Sequence, residues 1–265
     1  TQGKTTTTRL AEAGLQASGT PAAVVGTVGT RIVGEDVKTT LTTPEAPDLH
    51  ALFAVMRERG VHGCAMEVSS HALVMGRVDG VVFDVAVFTN LGRDHLDFHA
   101  DVEDYFSAKA SLFTSERARM GLVNVDDEYG RRLLAETTIP MRTFSAAGRE
   151  ADWTARDIEL SQGGSTFTVH TPAGDSFPAE VPLAGDFNVA NALAAIAGFG
   201  EAFYGRPEAF LERPEIKPVF EKYFVPVKLV VQTIAGEKNP AVVLKSRMRA
   251  CFRTLAMWPK FHVTR

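Results

Sequence analysis

Several stretches of the sequence bring together side chains able to handle phosphate, divalent metal or protons. Gly3-Lys4-Thr5-Thr6 has the composition of the closing half of a phosphate-binding loop. Backbone N–H groups of such a loop cradle phosphates, and the following helix points its positive dipole end at them. Lys4 would neutralise the outer phosphates of a nucleotide and the Thr5 hydroxyl would ligate Mg²⁺. An ordinary helix start with a threonine run accounts for the four residues equally well. Glu67, in Met66-Glu67-Val68-Ser69-Ser70-His71, closes an expected strand. A carboxylate there can hold Mg²⁺ directly or through water. The plainer alternative is a surface Glu beside a helix capped by Ser69 or Ser70.

The densest stretch runs from Thr89 to His99 and puts two His, two Asp, an Arg and an Asn into 11 residues. It could ligate a metal or position phosphates, or it could be a solvated loop with satisfied histidines. Zinc is disfavoured, because Cys64 and Cys251 both lie elsewhere and tetrahedral spacing is absent. Lys109, on a helix otherwise short of charge, reads from spacing alone as a solvated or snorkelling lysine. Ser69, His71 and Asp94 offer the residue types of a hydrolase triad, but no Gly-x-Ser-x-Gly turn supports it.

These residues need a scaffold, and the first two thirds of the chain supply one. The patterning predicts a helix over 5–17, a strand over 22–27 and a helix around Leu49, Leu52, Phe53 and Met56 stopped by Gly60. Strands are expected at 63–68, 84–88 and 121–125, with a helix over 101–115. Apolar strands alternating with amphipathic helices predict an α/β fold, a mainly parallel sheet flanked by helices. In such sheets ligands bind beyond the carboxyl ends of strands, where Glu67 and Thr89 fall. From Trp153 to Val181, short β-like segments separated by Gly163-Gly164 and Pro172-Ala173-Gly174 predict a small antiparallel meander. A helix is expected over 188–198.

Composition narrows the class. The chain has 265 residues, 45% hydrophobic and 23% charged, which excludes a disordered or collagen-like protein. No run reaches the ~20 apolar residues of a membrane span, and Thr1-Gln2-Gly3-Lys4 does not read as a signal peptide. With two cysteines, a disulfide framework is not expected, and a cytoplasmic location is. The net charge of −4 is unevenly divided. Residues 206–265 hold 12 Lys and Arg against 5 Glu and no Asp, a balance of +7, so residues 1–205 carry −11. That tail has six of the 13 prolines and one of the 22 glycines. The break predicts a core over 1–205 and an unassigned basic tail over 206–265. The tail's cations alternate with apolar runs and match no nucleic-acid module, so neither nucleic acid nor membrane is an expected partner.

Taken together and in order, the motifs resemble the central domain of the Mur ligase family, and within it the MurE branch, which adds the third residue to the peptidoglycan peptide. The matching stretches are residues 1–6, Leu41-Thr42-Thr43-Pro44-Glu45, 66–71, 89–99, 105–109 and Gly185-Asp186-Phe187-Asn188-Val189-Ala190-Asn191-Ala192-Leu193. The resemblance implies a P-loop sheet and an ATP-dependent amide ligase of peptidoglycan precursor synthesis. ATP would phosphorylate the carboxylate of UDP-MurNAc-L-Ala-D-Glu, and the amine of meso-diaminopimelate or lysine would displace phosphate from the acyl phosphate.

It further implies Gly3, Lys4, Thr5 and Thr6 as the ATP loop, with Lys4, His95 and Lys109 catalytic. Thr5, Glu67, His95 and Lys109, the last as a carbamate, would hold Mg²⁺. Thr42, Thr43, Ser69 and Arg77 would grip the UDP-MurNAc-dipeptide, and Asn188 and Asn191 would lie near the adenine. Met75 departs from the family, whose members often carry a polar side chain there. The family's N-terminal uridine-binding domain and its C-terminal signals are not recognisable, and a monomer is expected. The alternatives are a truncated, inactive fragment with at most nucleotide binding, or another P-loop NTPase.

Overall fold

The computed structural model describes residues 2–92 and 98–204. The chain opens with helix α1 (Lys4–Ala17), strand β1 (Ala22–Val25) and a hairpin of β2 (Thr30–Ile32) and β3 (Glu35–Val37). Helix α2 (Ala46–Glu58), strand β4 (Gly63–Met66) and the short helix α3 (Ser70–Val74) follow. Next come β5 (Phe83–Phe88), α4 (Val102–Ala110), β6 (Ala118–Asn124), α5 (Glu128–Glu136) and β7 (Met141–Ser145). Three strands, β8 (Trp153–Ser161), β9 (Gly164–His170) and β10 (Ser176–Val181), lead into the final helix α6 (Asp186–Tyr204).

The strands form two sheets, β3-β2-β1-β4 and β10-β9-β8-β7-β6-β5. β1 pairs parallel with β4, and β5 through β8 pair parallel in sequence order. β8, β9 and β10 are antiparallel, as are β1, β2 and β3. The parallel-rich α/β architecture with its meander is the one expected; α5 and β7 add to the elements signalled, and two refinements follow. A hairpin precedes α2, and the sheet is in two parts whose facing edges are β4 and β5. Between those edges lies a cavity of about 360 Å³, walled by residues 62–68 and 83–87 and by side chains of α1 and α6.

Local chemistry explains most element ends. α5 starts where the Asp127 carboxylate accepts from the N–H groups of Tyr129 and Gly130. α4 starts at Asp101, which accepts from the Asp104 N–H, and ends at Ser111, short of the expected 115. α2 carries a proline in its first turn and gives way to Gly60, whose φ is 69°. α6 outruns the expected 188–198. Its far end is held by a buried hydrogen bond from Trp153 Nε1 to Glu201 Oε1 at 2.8 Å, and such a tertiary contact overrides glycine's weak helix propensity at Gly198. The largest core cluster lies between α6 and the meander, around Phe144, Trp153, Phe167, Phe177, Val181 and Leu193.

Candidate functional site

The site is built where β1 and β4 end together. Their parallel register sets Val25 opposite Met66, so the next residues, Gly26 and Thr27 on one side and Glu67 on the other, leave the sheet side by side. Glu67 is only 2% exposed, which rules out the surface Glu of the plainer alternative, while the cap that alternative gave to Ser69 or Ser70 is made by Ser69, whose Oγ accepts from the Ala72 N–H. Glu67 instead accepts three hydrogen bonds. Thr5 Oγ1 donates to Oε2 at 2.9 Å, Thr27 N–H to Oε1 at 2.9 Å and Thr27 Oγ1 to Oε2 at 3.1 Å. A buried carboxylate needs such donors to offset its lost hydration. Gly26 allows this approach, since a Cβ there would lie 2.1 Å from Glu67 Oε1.

The start of α1 meets Glu67 from the other side. Gly3 caps the helix with φ 84°, in the left-handed region, and no side chain caps the first turn. Free N–H groups at a helix N-terminus favour an anion. The loop is clamped from two directions. Asn90 accepts from Gln2 N–H at 2.9 Å and donates to Gln2 O at 3.0 Å, while Thr89 Oγ1 donates to the same carbonyl. From α6, buried Asn191 lies so close that a Cβ on Gly3 would be 2.0 Å from its Oδ1. Asn191 also donates to Asn188 Oδ1, and Asn188 donates to Ala184 O. Asn191 thus stands against the loop at Gly3, with Asn188 behind it.

The residues expected to grip substrate form a neighbouring cluster. Thr42 Oγ1 lies 3.1 Å from Thr27 Oγ1. Buried Thr43 donates to Glu67 O at 2.9 Å and accepts from Ser69 N–H at 3.3 Å, so its hydroxyl holds the strand end. Arg77 pairs with Glu45 at 2.8 Å and donates to Thr43 O and to Met75 Sδ. Its Nε is buried with no hydrogen-bond partner among the described residues. Met75, the departure from the family pattern, is 54% exposed.

The remaining expected residues lie on or near α4. The Lys109 ammonium sits 4.8 Å from the centroid of the Tyr105 ring. His95 and Asp94 lie outside the described residues. His71 stacks on Phe98 with centroids 3.7 Å apart. Buried His99 donates from Nδ1 to Asp104 at 3.0 Å, while its Nε2 is buried with no hydrogen-bond partner among the described residues, so it is neither solvated nor fully satisfied. That bond, with the Ala100 N–H second, holds the Asp104 carboxyl below its ordinary range. Among the described residues no three His, Cys, Asp or Glu side chains cluster as a metal site. Cys64 lines the cavity and is solvent-accessible. The atoms packed around it, and secondarily the Glu12 carboxylate, push its thiol up to about 12, so it stays protonated at neutral pH.

The motifs did not single out Thr27 or the clamp from Asn90 to Gln2. The usable signal was position, since each follows a buried strand at its carboxyl end.

Known proteins resemble this chain over about three quarters of its length. The diaminopimelate-adding ligase of Streptomyces coelicolor, named UDP-N-acetylmuramoyl-L-alanyl-D-glutamate–2,6-diaminopimelate ligase, is 58% identical over 203 residues, covering 76% of this chain and 40% of the relative. The protein of the same name from Corynebacterium glutamicum is 50% identical over 213 residues, covering 77% and 41%. A solved structure of a ligase of that name superposes with a TM-score of 0.68 at 32% identity, covering 76% of this chain and 42% of that one. Folylpolyglutamate synthase of Mycobacterium tuberculosis, solved with ADP and AMPPCP, shares the fold with a TM-score of 0.58 at 19% identity. The chain spans about two fifths of the length of these curated relatives. Residues 1–198 match the Mur ligase middle domain, and the chain belongs to that family.

Proposed function

We propose that this chain is the ATP- and Mg²⁺-binding part of a ligase that adds the third amino acid to UDP-MurNAc-L-Ala-D-Glu through an acyl phosphate. The observation that carries the reading is the meeting of Thr5 and Glu67 at the uncapped start of α1. A hydroxyl and a buried carboxylate 2.9 Å apart are hard oxygen donors of the kind Mg²⁺ takes beside nucleotide phosphates. Thr5 and Glu67 would hold the metal, joined by His95 and by Lys109 as a carbamate. The metal would withdraw charge from the transferring phosphoryl group.

The chemical difficulty is repulsion between a substrate carboxylate and a polyphosphate. Lys4 and the first-turn N–H groups of α1 would bind and screen the phosphates, with Gly3, Thr5 and Thr6 shaping the loop. Asn191 would hold the loop in shape, and Asn188 would hold Asn191. Arg77, Thr42 and Ser69 would meet the UDP-MurNAc-dipeptide, with buried Thr43 bracing the strand end behind them. The names of the relatives favour diaminopimelate over lysine as the added residue. We further propose the division into a core over 1–205 and a separate basic tail over 206–265, a monomeric state and a cytoplasmic setting. Among the described residues no helix is long and apolar enough to cross a membrane.

Calorimetry with a non-hydrolysable ATP analogue and Mg²⁺ tests the binding half. The chain should bind and Lys4→Ala should lose at least tenfold, as expected for a removed charge-assisted contact. Equal heats from both would overturn the reading. Phosphate release dependent on UDP-MurNAc-dipeptide and diaminopimelate tests the catalytic half separately. Nucleotide binding without release is the outcome expected of residues that match two fifths of an active relative. GTP preferred over ATP would point to another P-loop NTPase.

A further inference from the structure

We propose that Thr27 is a positioning residue that fixes the Glu67 carboxylate at the mouth of the phosphate loop and ties it to Thr42. The inference rests on the reading of Glu67 as a metal-holding group. Thr27 contacts both oxygens of Glu67, through its N–H to Oε1 at 2.9 Å and its hydroxyl to Oε2 at 3.1 Å. Two contacts from one residue fix both the place and the rotation of the carboxylate. Thr5 contacts Oε2 alone.

Proton counting then sets a direction. A threonine hydroxyl has one proton to give and lone pairs to accept with. With Glu67 as a carboxylate, Oε2 can only accept, so the Thr27 proton is committed to it. At the 3.1 Å contact between Thr27 Oγ1 and Thr42 Oγ1, the donor must therefore be Thr42. The hydroxyls line up as Thr42 to Thr27 to Glu67, and Thr42 keeps a lone pair for its open side. The substrate group that meets Thr42 is thus a hydrogen-bond donor, an amide N–H or a hydroxyl, rather than a carboxylate or phosphate oxygen. One short chain of hydroxyls joins the substrate side of the site to the metal side.

The effect on metal has a precedent in magnitude, since partners that orient a metal's ligands are worth ~10–100-fold in affinity. The test uses the full chain, a non-hydrolysable ATP analogue and Mn²⁺ as probe, reading the Mn²⁺ concentration that half-saturates binding, by electron paramagnetic resonance and calorimetry. Thr27→Val keeps the backbone N–H and loses the hydroxyl, and Thr27→Ser restores it. Thr27→Val should raise the Mn²⁺ requirement ~10-fold or more with the thermal midpoint within a few degrees of the parent. Thr27→Ser should return it to within about twofold of the parent.

An unchanged requirement in Thr27→Val, or a Thr27→Ser variant as weak as Thr27→Val, overturns the proposal. Glu67→Gln separates the two layers. If it binds Mn²⁺ with analogue like the parent, the reading of Glu67 falls and this inference with it. If it loses Mn²⁺ while Thr27→Val does not, only the role of Thr27 falls. Should Thr27→Val not fold, Thr42→Val replaces it. It should shift the Mn²⁺ requirement in the same direction by a smaller factor, and no shift overturns the link to Thr42.

Discussion

The meander end of the molecule and the strand-end site are stabilised by different means. Between α6 and β8–β10, buried aromatic and aliphatic side chains pack as one apolar cluster. There the driving force is area removed from water, which is non-directional and tolerant of exact placement. At the ends of β1 and β4 the buried groups are polar: Glu67, Thr43, Asn188 and Asn191. Directional hydrogen bonds place them, many reaching across distant sequence, from Thr5 to Glu67 and from Gln2 to Asn90. Such bonds add little net stability each but specify position, and an unmade one is expensive. The first region supplies rigidity and the second geometry, so a mutation in one should leave the other's signature intact.

The sharpest attempt to break that contrast is Phe177→Ala in the apolar cluster, where the side chain is 1% exposed. A loss of ~3–5 kcal/mol is expected in denaturant unfolding. Analogue binding measured below the unfolding transition should hardly change; a selective loss of binding at full folding would dissolve the distinction. Next in size is Gly3→Ala, which forces a side chain into a φ of 84° and against Asn191. Strain of ~1–3 kcal/mol is expected together with loss of nucleotide binding. Adding Asn191→Ala should relieve the clash but not the backbone strain, so recovery of stability should be partial, and complete recovery would show that φ is immaterial.

Thr43→Val sits on the border between the regions. Losing its bonds to Glu67 O and Ser69 N–H should cost about 1 kcal/mol, with a raised Mn²⁺ requirement as Glu67 shifts. A stability loss with unchanged metal response would confine Thr43 to the scaffold.

The smallest effect is expected at Asp104. His99 lowers its carboxyl pKa in the folded state, so its contribution is present above the ordinary carboxylate range and is lost as pH falls through the lowered value. An Asp104→Asn chain should therefore show a shallower stability loss below about pH 4 than the parent, with no difference at pH 7 in slope. Equal acid slopes would remove Asp104 from the acid response.

Much of the scaffold was legible because periodicity and turn residues are local. Apolar runs at 22–27, 63–68 and 121–125 declare strands, though β4 proves only partly buried, and Gly163-Gly164 with Pro172-Ala173-Gly174 marks the meander. The short β2–β3 hairpin was not legible, its strands being three residues long with no pattern of their own, and α5 and β7 were not signalled either. The residue types of the site could also be read: a Gly-Lys-Thr run, and a Glu at a strand end. The reading of Glu67 as exposed failed because burial depends on what packs over a strand end, and here Thr5 and Thr27 do.

By itself, the sequence determined the fold class, the order of the elements it signalled, the family motifs and the charge break near residue 205. Each depends on residue types and near-neighbour spacing, which folding does not change. The tertiary structure alone decided that Thr5, Thr27 and Glu67 meet, that Asn191 presses on Gly3, and that Thr43 spends its hydroxyl on the backbone. Those facts follow from parallel register and helix packing between segments as far apart as Gly3 and Asn191. Hydrogen bonds act over about 3 Å, a scale that sequence separation does not encode.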